Sequence, residues 1–174
     1  MSTKSPGGHH EGLVRVHGEF EGEFPGASPL ATECFLNLAH VAVSMLSELN
    51  RLLHGSGVPS YTSFNALTVL AGADGPIPPS VVAERMIVTR PTATGILTTL
   101  ERLGLVTRRA HDSDGRMRLV SLTEAGRDLV EQLLPEVHRF ERDLFNGLDP
   151  SQQRILLDSL ATIAARLDQI TALR

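Results

Sequence analysis

Between Arg85 and Arg118 the chain carries seven basic residues, all of them arginine (Arg85, Arg90, Arg102, Arg108, Arg109, Arg116, Arg118), against three carboxylates, Glu101, Asp112 and Asp114. Guanidinium is a planar fork of donors that matches phosphate oxygens and enters narrow grooves. The segments on either side are acidic, so the formal charge of −4 over 174 residues resolves into two acidic flanks around a basic centre of +4. Spread evenly, that net charge would point away from nucleic acid; its distribution points toward it. A solvated arginine face is the competing reading, and with Lys4 as the single lysine, arginine use is general in this chain.

The other reactive residues make no comparable cluster. The seven histidines are scattered, His9–His10 is too short for a metal tract, and no nucleophile motif, phosphate loop or metal-ligand spacing occurs. The expectation is a protein that is not an enzyme and uses no cofactor or metal. The lone Cys34 forms no internal disulfide. No run approaches the roughly 18 consecutive apolar residues of a membrane span, and the N-terminus lacks the apolar stretch of a signal peptide. A cytoplasmic protein with no membrane partner is expected.

The elements that must position the arginines follow from periodicity and punctuation. Residues 1–28, rich in glycine and acid without sustained periodicity, read as a disordered tail. Ser28-Pro29 opens an amphipathic helix of about 25 residues bearing Leu30, Cys34, Phe35, Leu38, Ala42, Met45, Leu49 and Leu52, ended by Gly55 and Gly57. A second helix covers Tyr61 to Ala71. Pro78-Pro79-Ser80 opens a short third, and Thr89 caps a fourth that runs to about Leu103, before Gly104. Strand character at Leu105–Arg109 and Met117–Leu122 brackets a turn-forming heptad, which predicts a β-hairpin. Two long helices follow, one from Thr123 to about Phe145, where Pro135 predicts a kink or break, and one opened by Asp149-Pro150-Ser151-Gln152. The fold class is mostly α with a small β-hairpin wing: a winged helix-turn-helix lobe (58–123), with N- and C-terminal helices (29–57 and 124–174) as a dimerisation region. More apolar positions lie on the last helix (Ile155, Leu156, Leu160, Ile163, Leu167, Ile170) than a short domain buries alone; a partner chain or an intramolecular bundle would cover them.

The fourth helix is expected to bury Ile96, Leu97 and Leu100. Its opposite face carries Arg90, Pro91, Thr92, Thr94, Gly95, Thr98 and Thr99, a small hydroxylic surface able to approach a groove floor. Thr89 reads as a cap. Thr92 and Thr94 are the stronger candidates for base contact, and Pro91 for apolar contact.

In order and spacing, Phe64-Asn65-Ala66-Leu67-Thr68-Val69-Leu70, Val82-Ala83-Glu84-Arg85-Met86, Thr89-Arg90-Pro91-Thr92-Ala93-Thr94, Leu100 to Arg109, Asp112-Ser113-Asp114-Gly115-Arg116 and Ser121 to Gly126 resemble MarR-type transcriptional regulators. The resemblance runs from about Leu30 to the C-terminus. It implies a homodimer with interlocked first and last helices, two winged lobes on neighbouring turns of a pseudo-palindromic DNA operator, and repression relieved by a small aromatic or amphipathic ligand. It further implies that Arg116 enters a minor groove while Asp114 supports the wing, for which a narrow groove's concentrated negative potential gives the physical reason. An ordinary surface ion pair is the plainer alternative. Arg108, Arg109 and Arg118 flank the wing and are expected on phosphates, with Asp112 as an alternative partner for Arg108 or Arg109.

For the implied ligand, Phe35, Leu38, His40, Tyr61 and Phe64 are the lining candidates, each equally explicable as core. One branch of the family senses peroxide through a cysteine early in the first helix, and Glu33-Cys34-Phe35-Leu36 resembles that region. The chain departs from it in having Tyr61 as its only tyrosine, with Leu38 and Glu48 where that branch supplies tyrosines. Burial against Phe35 and beside Glu33 is expected to blunt the Cys34 thiol. A winged protein-interaction module that binds no DNA is the reading from another functional class.

Overall fold

The computed structural model describes residues 12–16, 20–110 and 118–173. In chain order the elements are α1 (Phe20–Glu23), α2 (Pro29–Leu52), α3 (Tyr61–Ala71), α4 (Pro79–Met86), α5 (Arg90–Arg102), β1 (Val106–Ala110), β2 (Arg118–Leu122), α6 (Glu124–Phe145) and α7 (Pro150–Ala172). The architecture is mostly helical with one antiparallel hairpin, as expected. Two compact units divide the chain, Met1–His54 and Gly55–Arg174.

In the first unit, Ser28 accepts the Ala31 N–H and Pro29 occupies the first turn of α2. The preceding segment is not wholly without order. Asn37 clasps the Val14 backbone at both groups, its Oδ1 accepting from Val14 N at 2.8 Å and its Nδ2 donating to Val14 O at 2.9 Å. Glu33 Oε1 accepts from Val16 N at 2.8 Å and its other oxygen meets Arg15 at 3.2 Å. Residues 14–16 thus lie as a strap against α2. The Val16 N–H, assisted by Arg15, holds the Glu33 carboxyl below the usual carboxylate range.

By length and composition alone α2 is apolar enough to cross a bilayer, with an 18-residue window of mean hydropathy 1.3, although no unbroken apolar run of that length occurs. Several of its polar residues have partners within this unit: Glu33 and Asn37 hold the strap, and Glu48 pairs with Arg51.

In the second unit, Phe64, Ala66 and Leu67 of α3, Val82 and Ala83 of α4, and Ala93, Leu97 and Leu100 of α5 are buried, with Val120 of β2. Ile96, expected in this core, is only half-buried; Ala93 takes the inward place one turn earlier. Thr89 caps α5 by accepting the Thr92 N–H. Gly104 (φ 72) ends it in a left-handed cap, with Gly104 N donating to Glu101 O and Leu105 N to Leu100 O. At the turn from α4 to α5 the left-handed position is taken by Ile87 (φ 56), 93% exposed.

The hairpin pairs Val106 with Leu122 through Ala110 with Arg118. A third, single-residue rung was not foreseen: Ile77 donates to and accepts from Val120 at 3.0 and 2.8 Å. The Thr-Glu-Ala-Gly stretch at the start of α6 is a junction. Thr123 Oγ1 accepts from Gly126 N and donates to Gly104 O at 2.7 Å, while Thr123 N donates to Leu105 O. Gly126 is there because a Cβ would collide with the Leu105 carbonyl. Of the kink or break expected at Pro135, the break is absent, since α6 continues through it. Asp149 and Gln152 form a capping box at the start of α7, which buries no residue.

Candidate nucleic-acid interface

Packing of Ala93, Leu97 and Leu100 inward fixes which side of α5 faces out. Arg90, Thr94, Thr98 and Arg102 follow at four-residue steps and are all exposed, with Pro91 and Thr92 beside Arg90 at the helix start. The result is a narrow stripe of hydroxyls bounded by guanidinium at either end. Thr92 is partly committed, because its hydroxyl shares a 2.7 Å hydrogen bond with that of the cap Thr89. Thr98 donates to Thr94 O at 2.8 Å, and Thr99 returns to Gly95 O in the same way. These back-bonds leave the threonine methyl groups and oxygen lone pairs as the surface offered to a groove.

Arg108 has a different place from the one expected. Rather than projecting outward, its side chain (23% exposed) leans from β1 onto α5. There it donates to Thr98 Oγ1 at 3.0 Å and Thr94 O at 3.4 Å, and its Nε lies 3.5 Å from Glu101 Oε2. Its alternative partner Asp112 lies outside the described residues. Arg108 therefore braces the wing against the outward helix. Arg109 and Arg118 are exposed on the two strands, and Arg85 and Arg102 are exposed at the ends of α4 and α5. Asp114 and Arg116 lie outside the described residues.

The proposed ligand residues separate. Tyr61 and Phe64 meet in a cleft of about 170 Å³ between α3 and α6, whose wall also includes Leu134, Val137, His138 and Glu141. Phe64, 1% exposed, is both core and cleft floor. Burial, and secondarily the Glu141 carboxylate, pushes the Tyr61 phenol above its ordinary value. Phe35, Leu38 and His40 are on α2, in the other unit, and all three are exposed; Phe35 is 70% exposed. They are not core residues of the single chain. Cys34 is exposed as well, so the burial expected to blunt it is absent. Among the described residues, no three histidine, cysteine or carboxylate side chains converge as a metal site requires.

The Arg108 brace, Glu141 and His138 were missed from the sequence. Helical spacing does place His138 and Glu141 on one face, together with Leu134, but nothing local indicates that α3 packs opposite.

Residues 59–117 match the model of the MarR family. The transcriptional repressor MprA of Escherichia coli K12 is 27% identical over 92% of this chain and 89% of its own length. The HTH-type transcriptional regulator MT0903.1 of Mycobacterium tuberculosis is 31% identical over 74% of this chain and 90% of its own. A crystal structure of the S. aureus MepR–DNA complex is similar in fold, with a TM-score of 0.68 at 21% identity over 74% of this chain and 94% of that one.

Proposed function

This chain belongs to the MarR family of DNA-binding transcriptional regulators, and from that premise we propose that it is a cytoplasmic homodimeric repressor that leaves a pseudo-palindromic operator when a small amphipathic molecule binds. The observation that carries the DNA reading is the α5 stripe, uncharged along its middle and braced by Arg108 from the wing. Thr94 and Thr98, with Arg90, Pro91 and Thr92 at the helix start, meet base edges and nearby phosphates. Arg109 and Arg118 neutralise phosphates, and Arg116, assigned from its place in the sequence, enters the minor groove with Asp114 supporting the wing.

Exposed apolar residues on the dimerisation helices support the dimer. Phe35 and Val43 of α2 and Ile155, Leu157 and Leu167 of α7 are each at least 60% exposed in the single chain. A second copy is the occupant that fits, since each of these helices leaves large apolar side chains in water that a partner chain would cover. Release follows if the ligand, taken up in the cleft at Tyr61 and Phe64, favours a lobe spacing that no longer matches the operator. A few kcal/mol of differential affinity is enough to change occupancy.

The test is Arg116→Ala in the full chain, assayed by electrophoretic shift on operator fragments recovered by sequencing bound DNA. The expected result is a dimer by sedimentation with operator affinity lowered at least about tenfold. Unchanged affinity removes Arg116 from the DNA contact, and failure of the wild-type protein to retain any DNA fragment leaves a winged interaction module as the better account. One observation favours a redox variant of this reading: the Cys34 thiol is exposed. That variant requires peroxide-dependent release to vanish in Cys34→Ser.

A further inference from the structure

The cleft between α3 and α6 has a definite chemical bias. Its volume, about 170 Å³, is close to the roughly 150 Å³ of an apolar cavity that accepts benzene. Phe64, Leu134 and Val137 supply the apolar wall, and Asn65 and Thr68 are neutral. Of the charged groups that line it, Glu141 is a carboxylate and His138 is the sole titratable base; Arg139 and Arg142 line an adjoining hollow instead, with Pro135, and Arg142 borders a further hollow together with Glu141. The Tyr61 phenol and Glu141 are close enough to interact electrostatically.

An aromatic carboxylate entering here would shed hydration without meeting a guanidinium or ammonium, and would face a like charge. A protonated amine would meet Glu141 as counter-ion and the phenol oxygen and ring of Tyr61 as a second acceptor. We propose that this cleft selects amphipathic amines, one ring seated on Phe64, Leu134 and Val137 with its ammonium at Glu141, and that Glu141 is the residue that determines ligand charge. This deepens, and rests on, the reading of the cleft as the effector site.

The experiment uses two probes of matched body and opposite charge, phenethylamine and hydrocinnamate, titrated into the full-length protein at neutral pH by ligand-observed NMR. Wild type should bind the amine roughly tenfold more tightly than the acid. Glu141→Gln should bring that ratio to within about twofold, while Asp143→Asn, another exposed carboxylate on α6, should leave it unchanged. Equal or reversed preference in wild type, absence of amine binding, or a ratio that survives Glu141→Gln overturns the proposal. Operator binding measured on the same samples separates the two readings. Amine selectivity without DNA release removes ligand-controlled repression and keeps the cleft's preference; intact operator binding with no amine selectivity removes the cleft's preference and keeps the DNA-binding reading.

Discussion

Arg108 of β1 donates to the Thr98 hydroxyl of α5 at 3.0 Å, so the wing and the outward helix share a hydrogen bond at the centre of the candidate DNA face. Its guanidinium is spent inside the protein, whereas that of Arg118 is exposed. The two arginines should therefore fail differently. Arg118→Ala is expected to reduce the slope of log affinity against log salt by about 0.9 per copy, the signature of a lost phosphate contact. Arg108→Ala should lower affinity by about tenfold at every salt concentration with the slope unchanged, because it loosens α5 rather than removing a counter-ion. Fluorescence anisotropy over a salt series reads both. A slope change for Arg108→Ala equal to that for Arg118→Ala would place its guanidinium on the phosphate backbone instead.

Gly126→Ala tests the junction at the start of α6. The added methyl meets the Leu105 carbonyl, and main chain on both sides must move to admit it. A loss of about 3 kcal/mol is expected, which for a chain of this size lowers Tm by roughly 10 °C. Calorimetry checks it, and a change under about 2 °C would mean that β1 and α6 separate easily.

Ile87→Asn should stabilise the protein. A β-branched residue at φ 56 pays a steric cost that asparagine largely avoids, and with 93% of its surface exposed the isoleucine gives up little packing. A gain of about 1 kcal/mol in urea unfolding, at unchanged m, is the expected outcome. A loss would show that Ile87 is covered in the working assembly, which would make this turn a contact surface.

The strap on α2 should respond to acid. Because the folded state holds the Glu33 carboxyl below its ordinary range, its contribution is present above that range and fades as pH falls through the lower folded value. Amide exchange at Val16, corrected for intrinsic rates, should accelerate on acidification below about pH 4. Glu33→Gln should remove this pH dependence. If wild-type protection is lost on raising the pH instead, the sign is wrong and another group governs the strap.

What could be read from the sequence was what depends on near neighbours. Thr89 before Pro91, Asp149 before Pro150 and Gln152, and Gly104 after Leu103 are caps whose chemistry acts within four residues, and the helices begin and end beside them. Burial was less legible where the inward residue is small: Ala93 is fully buried but carries little apolar signal, and the neighbouring Ile96 took its place in the reading. The Arg108 brace was hidden for another reason. Strand alternation does not say which neighbour a long side chain will lean on, and Thr98 is ten residues away. The clasp of Asn37 on Val14 joins residues 23 apart, across a glycine-rich stretch whose composition suggests no structure.

Ile77 stands between Pro76 and Pro78, and both of its backbone groups are already taken by Val120. The sheet edge beyond it ends after one residue, flanked by two positions with no N–H to donate to an arriving strand. An arriving strand finds no N–H donor at either flanking position, so the wing's third rung also closes this edge of the sheet to strand addition.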